Sequence, residues 1–230
     1  MSHAVLIAPS RFAIAGLVKR GACALPYFAK FTARRPYFEL GRLVDFIAKV
    51  PDVHRRVYIS SIFTDGLTTL DPAETPEHLA LDNPLVKTLA DMFQSQDGVC
   101  VVSRALRDLM EGLDPGLHQF LPIMLDGSSQ AGERFILNVH IKQDSVVVGR
   151  TNAQPVHGAA GTPAILRLGS FLKAGDITVD VSRLGKANAW RESRCLGALL
   201  FSDSLHDQIK QQKLRVLPLL KCETSQAVAS

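Results

Sequence analysis

The chain has 230 residues, is 47% apolar and 7% aromatic, and carries a formal charge of +4. That composition suits one large or two small globular domains and argues against a disordered protein. Four cysteines, Cys23, Cys100, Cys195 and Cys222, lie far apart without a C-x-x-C pair, which argues against a clustered zinc site or a small disulfide scaffold and for buried thiols in a reducing cytoplasm.

Residues 1–38 contain six basic residues and no acid, and from Glu39 onward the net charge is −2. This basic N-terminal segment resembles a targeting or membrane-surface segment in composition. The run Ala4 to Ala8 is too short to cross a bilayer, however, and Arg11, Lys19 and Arg20 interrupt any longer one, so packing on the body or a loose extension is the favoured reading. Arg34 and Arg35 among Tyr27, Phe28, Phe31, Tyr37 and Phe38 could stack on and pair with nucleic acid. A core-packing segment with snorkelling arginines explains them better.

Residues 39–97 form the N-terminal part of the body. The apolar positions from Phe38 to Val50 predict a helix, or a strand and a helix, ending near Pro51. Val57 to Phe63 reads as a strand with Asp65-Gly66 as its turn. Asp65 to Asp97 holds seven acids against Lys87 alone, a local net charge of −6. It reads as an acidic surface connection leading into a helix from Pro84 to Phe93.

Residues 98–222 hold a pattern that occurs twice. Val99 to Val102, Ser103, Leu106, Met110 and then Phe120 to Ile123 around Pro122 make one copy. Leu199 to Phe201, Ser202, Leu205, Ile209 and then Val216 to Leu219 around Pro218 make the other. Each reads as strand, helix, strand, with Ser103 and Ser202 as helix N-caps rather than nucleophiles. Between the copies, Phe120 to Leu125 and Phe135 to Ile141 predict an antiparallel hairpin, which Ser145 to Val148 could extend. Thr151 to Pro163 reads as a long exposed loop, Ile165 to Leu168, Ile177 to Val181 and Leu196 to Phe201 as strands, and 223–230 as a frayed tail. The fold class is therefore α+β, with a mixed, mainly antiparallel sheet and flanking helices.

Chemistry is sparse in this sequence. Gly158 to Pro163 lacks the lysine of a phosphate loop. No two of the histidines, His3, His54, His78, His118, His140, His157 and His206, have metal-ligand spacing. Cys100 or Cys195 with a distant His140 or His157 would make a small enzyme, and Asn138 with His140 a base and its orienter. Burial of the thiols and a satisfied polar pair account for the same residues.

From Gly98 to Cys222 the chain resembles immunity protein family eleven of bacterial polymorphic toxin systems. Val101 to Leu109, Gln119 to Ile123, Phe135 to Val139, Ala189-Trp190-Arg191 and Leu200 to Leu205 carry the resemblance. It implies a cytoplasmic, non-catalytic inhibitor that binds and occludes a cognate toxin, some toxins of this association being nucleases, with no cofactor, no metal, no direct nucleic acid and no stable membrane insertion. Asp71, Glu74 and Glu77 are the candidates to oppose a basic toxin surface. Trp190 and Arg191 are candidate anchors if exposed, although a lone Trp more often belongs to the core. The rival functions are the Cys/His enzyme and a toxin-loading adaptor.

Overall fold

The computed structural model describes residues 25–31, 37–39, 41–82, 89–127, 132–156, 165–169 and 171–225. In chain order its elements begin with strands β1 (Tyr27–Ala29), β2 (Phe38–Glu39) and β3 (Gly41–Leu43), helices α1 (Phe46–Lys49) and α2 (Val53–Asp65), and strands β4 (His78–Leu81), β5 (Met92–Ser95) and β6 (Cys100–Ser103). Helix α3 (Arg104–Leu113) is followed by β7 (Gln119–Asp126), β8 (Arg134–Asn138), β9 (Lys142–Gln143), β10 (Ala153–Val156), β11 (Ile165–Leu168), β12 (Thr178–Asp180), β13 (Ala189–Glu192) and β14 (Leu199–Phe201). Helix α4 (Asp203–Gln211), β15 (Leu219–Lys221) and β16 (Glu223–Ser225) complete the α+β fold.

Seven strands form one sheet in the order β2-β5-β6-β8-β7-β4-β3. Its two outer strands are neighbours in sequence: Phe38 and Glu39 pair with β5, and Gly41 to Leu43 pair with β4. Only Leu40 separates them, so one short segment must draw the two sheet edges together, and the sheet closes into a barrel. At that seam a side chain on Gly41 would bring a Cβ within 2.8 Å of the Ala80 carbonyl oxygen. Leu43, Leu79, Leu81, Phe93, Val101, Ile123, Leu125 and Ile136 share one core inside it, to which α2 adds Ile59, Ile62 and Phe63.

Both sequence repeats fold as strand, helix and strand, and each pair of strands takes a third strand between them. Strand β8 lies between β6 and β7, antiparallel to both, and β1 lies between β14 and β15 in the same way. The caps form as expected, with Leu106 N–H donating to Ser103 Oγ at 3.3 Å and Leu205 N–H to Ser202 Oγ at 3.1 Å. Leu106 and Met110 of α3 join Leu205 and Ile209 of α4 in a second core, with Cys100, Val102, Phe135 and Leu137 from the barrel and Ala189, Leu199 and Phe201 from the five-stranded sheet β15-β1-β14-β13-β9. Phe28, Trp190 and Leu200, on the other face of that sheet, enter a third core with Leu166 and Val179.

Several expectations are corrected. Val57 to Phe63 is helical, within α2, because Asp52 caps it by accepting from Arg55 N–H at 2.6 Å and Gly66 stops it in a left-handed conformation, φ 59°. The expected helix from Pro84 lies outside the described residues up to 88. From Met92 the chain is strand β5, and Met92 and Phe93 are buried in opposite cores because this part of the sheet is covered on both faces. The expected loop from Thr151 includes β10, paired with β11, with residues 157–164 outside the description. Only Val146 of 145–148 makes a bridge, to Val179, and β9 adds to the second sheet instead. The expected hairpin forms as β7 and β8.

Candidate interaction surface

Alternation along β7 sends Ile123 and Leu125 into the barrel and leaves Pro122 and Met124 outside. Helices α3 and α4 pack against the β5, β6 and β8 side, whereas Arg42 of β3 and Pro122 and Met124 of β7 are exposed and His78 and Ala80 of β4 are half-buried. On this face Val44 N–H donates to the His78 carbonyl at 3.1 Å and His78 is in register with Met124. Val44, His78 and Met124 therefore form a cross-strand row, with Val44 52% and Met124 57% exposed.

Helices α1 and α2 continue the apolar surface. Ile59, Ile62 and Phe63 face inward from α2 at spacings of three and four, which leaves Val53, Val57 and Tyr58 in solvent. Ile47 of α1 is 68% exposed. Beside Tyr58, a recess of about 100 Å³ opens between α2 and a 3-10 turn, Pro72–Glu74, lined by Arg55, Ile59, Ile62, Leu70 and Glu74 among others.

The acidic segment lies along this surface, but the fold brings basic groups to it. Lys49 Nζ donates to Glu77 Oε1 at 2.6 Å and to the Thr75 carbonyl at 3.0 Å. Arg55 Nε donates to both Glu74 oxygens, at 2.9 and 3.1 Å, while its guanidinium lies 5.2 Å from the centre of the Tyr58 ring. The Arg55 hydrogen bond holds the Glu74 carboxyl below the usual carboxylate range. Asp71 accepts from Ala73 N–H and caps the 3-10 turn. His78 Nδ1 lies 3.1 Å from Asp126 Oδ1, a hydrogen bond that raises the imidazole pKa. Asp97 is occupied by Leu43 N–H, and Asp91 by Ser103 Oγ and Arg215 N–H. Of the seven acids in this segment, Glu74 and Glu77 thus meet cations distant in sequence, while Asp71, Asp91 and Asp97 accept hydrogen bonds from neutral groups.

Trp190 and Arg191, the other sequence candidates, are 2% and 3% exposed. This placement corresponds to the core alternative for Trp190. Arg191 donates to the carbonyls of Phe63 at 3.3 Å and Gly197 at 3.0 Å, setting its positive charge at the C-terminal turn of α2.

Of the residues considered for an enzyme, Cys100, Cys195 and Asn138 are held in the interior and His140 is half-buried. Burial pushes the thiols of Cys100, Cys195 and Cys222 each up to about 12, whereas a nucleophilic cysteine needs a stabilised thiolate. Asn138 donates to the Thr68 carbonyl and to Gln119 Oε1, both at 2.9 Å, and His140 lies beyond the end of β8. His157 is outside the described residues. Among the described residues no group of three or more His, Cys, Asp or Glu side chains is placed to hold a metal ion, and no helix is long and apolar enough to cross a membrane. Brief iodoacetamide treatment of the native protein near pH 7.5 should leave Cys100, Cys195 and Cys222 unmodified, and denaturant should expose all three, as read by peptide mass spectrometry. Rapid native labelling of Cys195 would reopen the enzyme reading.

The family model of the Immunity protein family (Imm11) matches residues 48–224. The chain belongs to this family. The match extends the resemblance seen from Gly98 back to residue 48, so the immunity family region takes in α2, the acidic segment and β4 as well as both repeats. Membership implies a toxin as partner and a toxin-neutralising role. No curated protein matches the chain.

Proposed function

We propose that the protein is a non-catalytic cytoplasmic inhibitor that binds its cognate toxin, for which a nuclease is one candidate class, and neutralises it by occlusion. The observation that carries this reading is the immunity family match across residues 48–224. The inert environment of the described thiols supports it against the Cys/His alternative. Asp71, Glu74 and Glu77 are proposed to meet the toxin from the rim of the α1 and α2 surface.

Co-expression with the protein encoded by the adjacent gene tests the proposal. Host survival and recovery of a stable complex are expected, and the toxin alone should be lethal. Co-purification without rescue would make the protein an adaptor, and no interaction would remove the inhibitor reading.

A further inference from the structure

We infer that the toxin is gripped through the apolar shoulder formed by α1, α2 and the outer face of β3, β4 and β7, and that the occupant is an apolar, near-neutral face of the toxin rather than its most basic surface. This inference rests on the inhibitor reading and specifies the contact. Among the described residues, Val44, Ile47, Val53, Val57, Tyr58 and Met124 account for six of the eleven exposed large apolar side chains. Val44 and Met124 share a row with His78, Ile47 stands on α1 shortly after Val44, and Val53, Val57 and Tyr58 stand on α2; Lys49 of α1 and Arg55 of α2 tie these helices to the segment leading into β4 through Glu77 and Glu74. A concentration of this kind marks a contact surface, whereas scattered exposed residues do not.

Electrostatic complementarity selects the occupant. The ion pairs Lys49 with Glu77 and Arg55 with Glu74, and the hydrogen-bonded His78 and Asp126, belong to the same elements as the apolar residues or to the segment beside them, so the Glu74 and Glu77 carboxylates already have counter-charges within the chain. A strongly basic partner would have to compete with Lys49 and Arg55 for the same carboxylates and would gain little by doing so. A near-neutral face can cover the apolar centre and leave the pairs intact as a polar rim, the usual anatomy of a protein interface. The recess beside Tyr58 offers a place for one partner side chain, and Tyr and Arg are frequent anchors at such positions.

The test uses the full chain and the toxin identified by the co-expression experiment above. Ile47→Asp and Met124→Asp, at exposed positions, should retain the wild-type circular dichroism and thermal unfolding. Each should weaken toxin binding by about 100-fold, an effect typical of a hot spot, and reduce rescue. Wild-type Kd should change by less than about 5-fold between about 0.05 and about 0.5 M NaCl, because an apolar contact is little screened. Undiminished binding by both folded variants would overturn the inference, as would a steep salt dependence accompanied by loss of binding in a Glu74→Lys, Glu77→Lys variant. Self-association through this face, detected as a wild-type dimer that Ile47→Asp converts to a monomer, would also overturn it. If wild-type protein neither binds nor rescues, the inhibitor reading itself fails, an outcome distinct from failure of the shoulder alone.

Discussion

Asp114→Ala should lower the unfolding free energy at neutral pH by about 3 kcal/mol or more, since each buried donor left unpaired costs about 1–3 kcal/mol and such costs are only partly additive. Asp114 follows α3 and is 4% exposed. Its carboxylate accepts from Asn188 N–H at 2.6 Å, Asn188 Nδ2 at 2.7 Å and Ala189 N–H at 3.1 Å, and lies 3.1 Å from His118 Nε2. Asn188 passes the connection on: its Oδ1 accepts from Ser202 Oγ at 2.8 Å, and Ser202 caps α4. One carboxylate thereby ties the end of the first repeat's helix to the start of the second's.

The pH dependence has a definite sign. Burial alone would raise the Asp114 pKa, but the hydrogen bonds from His118 and Asn188 together outweigh it and hold the carboxyl below its usual range. A depressed carboxyl pKa stabilises the fold fully above the unfolded value, near about 4, and ceases to do so as pH falls through the folded value. Urea denaturation should therefore show a constant gap between wild type and variant from about pH 6 to about pH 8 and a closing gap in acid. A gap below about 1 kcal/mol at neutral pH, or one that widens in acid, would show that the network does not hold the repeats together.

Trp190→Ala should destabilise the protein by about 3–5 kcal/mol, the usual cost of removing a large aromatic group from a packed core. The side chain shares its core with Phe28, Val146, Leu166, Val179 and Leu200, and its strand β13 pairs with β14 on one side and β9 on the other. Trp190→Phe should lose less, because it keeps most of the ring volume. Circular dichroism during denaturation reads both variants. As this is the chain's one tryptophan, wild-type fluorescence should shift to longer wavelength in the same transition. A stably folded Trp190→Ala protein that has lost only toxin binding would instead make Trp190 an interface residue.

What could be read from the sequence was chiefly local. The repeats announce themselves because a serine cap and an apolar stripe are specified within a few residues, and Ser103 and Ser202 make the expected bonds. Helix α2 escapes the same reading because Val53 and Val57 stand on its outer side while Ile59, Ile62 and Phe63 face inward, so no single apolar stripe appears. Asp52 and Gly66, 14 positions apart in the numbering of the sequence, were the available signals for its ends. Met92 and Phe93 mislead differently, since two cores on opposite sides of one strand bury adjacent residues. The candidate surface was legible in its acids and not in its balance of charge: Lys49 and Arg55 reach Glu77 and Glu74 only through tertiary folding.

The placement of β1 between β14 and β15 has a consequence for biosynthesis. Tyr27 faces Phe201 on one side and Lys221 on the other, so hydrogen bonds of β1 must wait for partners made much later on the ribosome. The helices and the β7 and β8 hairpin can form during elongation, whereas this sheet becomes complete only after Lys221 has emerged. Such long-range pairing slows folding and prolongs exposure of apolar strands. Nascent chains halted before β14 should therefore depend on chaperones to stay soluble, and the switch to protease resistance should come late in translation.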